Sequence, residues 1–99
     1  MESENKNLLK LKELVTGFLK DEKVTILVFG SRARKENLPF SDVDIGIMPH
    51  NGFSDIKLAL LREKIEDSSI PYKVDIVNLA EVSQGFRKEV LKDAVIWKD

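Results

Sequence analysis

Apolar residues recur at three- and four-residue steps near the start of the chain: Leu8, Leu11, Val15, Phe18 and Leu19, with lysines opposite. That period predicts a helix over 5–20 whose lysines form a solvated face. Asp21-Glu22-Lys23 reads as a turn. The pattern then changes to a short β-branched apolar run, Val24 to Phe29, as expected of a central strand. A short helix is expected from Ser31 to about Glu36, ended by Asn37-Leu38-Pro39. Asp42 to Met48 alternates polar and apolar positions and reads as a second strand, followed by the loop Pro49-His50-Asn51-Gly52.

Ser54 is placed to cap a helix from Asp55 to about Asp67, with Ile56, Ala59, Leu60 and Ile65 expected to face inward. Ser68-Ser69-Ile70-Pro71 links it to a third strand over Tyr72 to Val77. A last helix is expected from Glu81 to about Lys92, with Phe86 and Val90 one turn apart, and Ala94 to Trp97 reads as an edge strand. Helices and strands alternating at this spacing indicate an α/β fold. The link between the first two strands is too short for an ordinary parallel crossover, so the sheet is expected to be mixed. Residues 1–99 read as a single small domain, with a sheet of three or four strands and helices packed on it.

Composition narrows the class. Apolar residues make up 42% of the 99 positions and charged residues 33%, the balance of a soluble globular domain. No apolar stretch is long enough to span a membrane, and the opening residues do not resemble a signal peptide. The absence of cysteine excludes disulfides and thiolate metal sites and agrees with a cytoplasmic setting. A net charge of −1 offers no global field for nucleic acid.

The candidate chemistry is concentrated between residues 29 and 47. An apolar strand ends in Gly30-Ser31, a basic segment follows, and Asp42 and Asp44 then alternate with Val43, Ile45 and Ile47. Residues two apart on a strand share a face, so the two carboxylates would lie together. Two like charges that close repel, and a divalent cation between them removes the conflict. The Gly-Ser turn offers backbone N–H groups and a hydroxyl to an anion such as phosphate. Asp75 is a lone carboxylate between apolar residues on the third strand. On the residues alone it is either an exposed pleat position or a further metal ligand. His50 has no companion nitrogen or thiolate ligand and reads as an exposed loop residue. Trp97 reads as a core or edge-strand anchor.

Gly30-Ser31, ten intervening residues and Asp42-Val43-Asp44-Ile45 resemble the signature of the DNA polymerase β-like nucleotidyltransferase superfamily. The fuller pattern, Gly-Ser-Arg-Ala-Arg with Ser41-Asp42-Val43-Asp44, is similar to the minimal nucleotidyltransferases, and Val74-Asp75-Ile76-Val77-Asn78 and Phe86-Arg87-Lys88-Glu89 extend the likeness over nearly the whole chain. The resemblance implies that Asp42, Asp44 and Asp75 are catalytic and hold Mg²⁺ or Mn²⁺, with Asp75 helping to deprotonate the attacking hydroxyl. It implies that Gly30, Ser31, Arg32 and Arg34 bind the phosphates of a nucleoside triphosphate, ATP in the first instance. The expected reaction is transfer of a nucleoside monophosphate to an acceptor hydroxyl. The expected partner is a helical HEPN-domain protein that also serves as acceptor, in a homo- or hetero-oligomer, with the chain as antitoxin. The alternative is a non-catalytic binding module that neutralises the same partner by contact. One departure stands out: Lys35 occupies a position where similar proteins usually carry glycine, and Asn37 can take the left-handed conformation in its place.

Overall fold

The computed structural model describes residues 2–29, 43–50, 53, 55–71 and 73–99, with side chains from Lys6 onward. Gly30, Ser31, Arg32, Arg34, Lys35, Asn37 and Asp42, with the short helix expected at 31–36, lie outside the described residues, as does Tyr72. Three helices and four strands alternate: α1 (Glu2–Phe18), β1 (Val24–Phe29), β2 (Val43–Pro49), α2 (Asp55–Glu66), β3 (Val74–Asn78), α3 (Gln84–Asp93) and β4 (Val95–Lys98).

The strands form one mixed sheet in the order β3-β2-β1-β4. β1 is antiparallel to both β2 and β4, and β2 is parallel to β3. The short link out of β1 therefore does what its length demands: it returns the chain antiparallel. β1 lies inside the sheet, and Val24 to Val28 are all buried, which is why its sequence shows no polar alternation. β2 does alternate. Val43, Ile45 and Ile47 are fully buried on one face, while Asp44, Gly46 and Met48 occupy the other.

The first face carries the main core. Leu11, Val15 and Leu19 at the α1 end of the chain, and Leu58, Leu61 and Ile65 of α2, close over Val24, Ile26, Val28, Val43, Ile45, Ile47 and Ile76. Each such fully buried aliphatic side chain contributes about 1.5–3 kcal/mol relative to exposure. The opposite face holds a smaller cluster of Leu27, Leu79 and Val90, flanked by Phe29, Met48 and Val77, with α3 over it. The sheet thus has helices on both faces and an unequal core.

The buried face of α2 differs from the one expected. Ile65 is buried as expected, but Ile56, Ala59 and Leu60 are exposed, Ile56 by 70%, and Leu58 and Leu61 point inward in their place. Both sets satisfy helical spacing, because α2 carries apolar residues around most of its circumference. Only the helix's rotation on the sheet selects between them. Other departures are boundary shifts. Pro49 ends β2 as a partner of Val24, and β3 runs two residues later at its start and one at its end. α3 begins at Gln84 because Ser83 caps it, its Oγ accepting from the Phe86 N–H at 3.2 Å.

The outer strand β3 is partly covered. Arg62 donates from Nη2 to the Ile76 carbonyl at 2.8 Å, and Asn78 Nδ2 donates to Asp55 Oδ1 at 2.9 Å, so α2 shields the free side of β3. On β4, Lys98 Nζ donates to the carbonyls of Glu22 and Val24 at 3.1 and 3.3 Å. Trp97 packs half-buried beside α1 and acts as the edge-strand anchor its position suggested.

Candidate active site

Three residues line up across the sheet on the α3 face: Phe29 of β1 pairs with Asp44 of β2, and Asp44 pairs with Asp75 of β3. Hydrophobic alternation sets this row. Val43 and Ile45 must face the main core, so Asp44 between them cannot. Val74 and Ile76 impose the same choice on Asp75, and parallel pairing then puts the two aspartates on one face of adjacent strands. Neighbouring strands lie about 4.8 Å apart, so the two aspartates stand on one face at about that spacing. Charges of one sign at that distance repel unless a cation joins them.

The two are not equally held. Asp44 is half-buried, with a partner of its own. Asp75 is exposed, and no described residue forms an ion pair or side-chain hydrogen bond with its carboxylate. Among the described residues no group of three or more metal-ligating side chains is gathered. The pair itself is a set of hard oxygen donors, which suits Mg²⁺ or Mn²⁺ and would leave further positions for phosphate oxygens and water.

The row lies beside the two points where the described chain is interrupted by residues 30–42. The chain leaves β1 after Phe29 and re-enters the sheet at Val43, both beside Asp44. Asp42 is the residue before β2 begins and, like Gly30, Ser31, Arg32 and Arg34, lies outside the described residues. On the outer side of the row a cleft of about 450 Å³ opens along β3, lined by Arg62, Glu66, Lys73 and Asp75 over an apolar floor that includes Ile70 and Val74. Of the row it touches Asp75 alone, its other walls coming from α2 and the main-core side of β3.

Other residues are excluded from the site by their position. His50 Nε2 lies 2.7 Å from Thr25 Oγ1 at the opposite end of the β1–β2 ladder, where Val24 meets Pro49. It is exposed, as its loop position suggested.

The aromatic side of the row escaped the sequence reading. Phe86 of α3 meets Phe29 edge-to-face, with ring centroids 6.2 Å apart and an interplanar angle of 87°. Phe86 itself remains 44% exposed, while Val90, one turn on, is buried. The available signal was the Gln84-Gly85 pair before it, which opens α3 on a poor helix former.

A four-stranded mixed sheet with two aspartates in register on adjacent strands matches the fold class of the nucleotidyltransferases. The chain belongs to the polymerase beta nucleotidyltransferase family, whose profile matches residues 10–99. It is 28% identical over 75 residues to the Haemophilus influenzae protein named "Probable protein adenylyltransferase MntA", an alignment covering 76% of this chain and 66% of that one. A solved structure assigned as a minimal nucleotidyltransferase superposes with a TM-score of 0.74 at 27% identity, covering 91% of this chain and 92% of the other. The fold also matches, with a TM-score of 0.63 and 22% identity over 90% of this chain and 70% of that one, a complex of a tri-AMPylated Shewanella oneidensis HEPN toxin with an MNT antitoxin.

Proposed function

We propose that this protein is a Mg²⁺-dependent nucleotidyltransferase that moves AMP from ATP onto a hydroxyl of a HEPN-domain partner, and that it acts as the antitoxin of that pair. The observation that carries this reading is the register of Asp44 with Asp75 on one face of adjacent strands, in a chain of this family. Asp44 and Asp75 would hold the metal ion, whose chemistry there would be charge neutralisation of the triphosphate.

The rest is the work of the chain's own residues. Gly30 and Ser31 offer N–H and hydroxyl donors to the phosphates, and Arg32 and Arg34 pair with phosphate oxygens. Asp42 and Asp44 would hold the cation that lets an anionic triphosphate sit beside them. Asp75, exposed beside the cleft, receives the proton of the acceptor hydroxyl. The acceptor oxygen bonds to the α-phosphorus as the bond to pyrophosphate breaks, and pyrophosphate leaves. Catalysis of this kind is positioning and charge stabilisation. The name of the Haemophilus relative and the AMPylated state of the Shewanella toxin support AMP as the group transferred and a HEPN protein as acceptor.

Intact-mass spectrometry of a HEPN partner encoded beside this chain and co-expressed with it tests the reading. The expected result is a mass increment of one or more AMP units with wild type and none with Asp44→Ala. A partner that stays unmodified, yet is still neutralised in cells by Asp44→Ala, would replace the enzyme by the contact-only binding module.

A further inference from the structure

The candidate site has carboxylates at one end of its row and an aromatic pair at the other, and the phosphate chemistry uses only the carboxylates. Phe29 is the cross-strand neighbour of Asp44, and Phe86 stands against Phe29 on the same face of the sheet. Val90, one turn on, is covered at 6% exposure, whereas Phe86 keeps 44% of its surface open, as does Leu91 of the same helix. The perpendicular contact leaves at least one face of the Phe86 ring uncovered by Phe29. The ring is also held in place. Ser83 caps the first turn of α3 through the Phe86 N–H, and the next residue, Arg87, donates from Nε to the Leu79 carbonyl at 2.9 Å, tying the helix to the end of β3.

Gly85 is the second observation. It lies in the first turn of α3, where glycine weakens a helix, and a Cβ built there would meet nothing within 4 Å. No close packing requires the missing side chain. Open space therefore lies directly beside an exposed, anchored aromatic ring, at the end of the row that starts with the two aspartates.

We propose that Phe86 is the platform on which the base of the nucleoside triphosphate stacks, with Gly85 leaving room for the base and ribose beside it. The assignment rests on the nucleotide-transfer reading and adds to it the element that recognises the base. Stacking on a phenyl face reads the area of the π system and not its hydrogen-bonding edge. The site should therefore prefer purines as a class, with ATP and GTP both binding more tightly than CTP or UTP.

Titration calorimetry of the full chain in Mg²⁺ tests this, with ATP, UTP and base-free tripolyphosphate as probes and Phe86→Ala, Phe86→Tyr and Gly85→Leu as variants. Phe86→Ala should weaken ATP binding about tenfold, leave tripolyphosphate unchanged and collapse the ATP-to-UTP preference. Phe86→Tyr should restore it. Gly85→Leu, which improves the helix, should keep or raise the thermal midpoint and still weaken ATP severalfold. The proposal is overturned if Phe86→Ala binds ATP like wild type, or if it loses ATP and tripolyphosphate in equal measure, since the ring would then only support the fold. A wild-type chain that binds neither ATP nor tripolyphosphate would sink the nucleotide-transfer reading, and this assignment with it.

Discussion

Asp44 and Asp75 are direct partners across two parallel strands, one half-buried and the other exposed. They lie 31 positions apart in the chain, with α2 in the interval between them. The pairing is therefore a property of the sheet and not of any local motif. Each aspartate is held on the α3 face by apolar neighbours that must face the main core.

Asp75→Asn tests what the exposed member does. Its carboxylate supports no described contact, so the substitution should leave the metal-free thermal midpoint unchanged or slightly raised, because it removes one of two repelling charges. AMP transfer to the partner should fall at least a hundredfold, roughly the scale of losing a general base. A midpoint several degrees lower would show that Asp75 is needed for the fold instead.

Metal removal is the second test. Two carboxylates facing an anionic triphosphate oppose binding unless a cation lies between them. Calorimetry with ATP should show binding in Mg²⁺ or Mn²⁺ and at least a tenfold loss in EDTA. Equal affinity in both conditions would argue against a metal-bridged site.

Gly46→Ala probes the packing two residues along from Asp44. A Cβ there would lie 2.8 Å from Leu27 Cδ1 and 2.9 Å from Leu79 Cδ1, both within the smaller core. Both leucines are fully buried and have little room to yield. Denaturant unfolding should show a loss of about 1–3 kcal/mol. An unchanged midpoint would mean that this cluster is loose enough to absorb a methyl group.

Ser83→Ala should lower stability by about 1 kcal/mol through loss of the α3 cap. It should also weaken ATP binding modestly while sparing tripolyphosphate, because the same hydrogen bond fixes the backbone that carries Phe86. Chemical denaturation and calorimetry on one protein sample read both effects. Loss of stability with no change in ATP affinity would separate the cap from the site.

Much of this protein was legible in its sequence. β1 was readable residue for residue, because a strand buried on both faces is a continuous apolar run between turn signals. The mixed sheet followed from the shortness of the link after Phe29, and the face of Asp44 from the alternation around it. The family could be recognised because glycine, serine and carboxylates at set spacing are a local signal.

Tertiary structure alone decided the rest. α2 carries apolar residues on two stripes, and nothing local distinguishes Leu58-Leu61-Ile65 from Ile56-Leu60. The choice depends on how the helix rotates against β1, β2 and β3. The pairing of Asp75 with Asp44 depends on strand order and register, which are set by packing between distant segments. Phe86 and Val90 share a helical spacing, yet one is open and the other buried. Periodicity gives the angular separation of side chains around a helix; what each meets depends on where the sheet ends, and this sheet ends so that Phe86 stands at the edge of the candidate site.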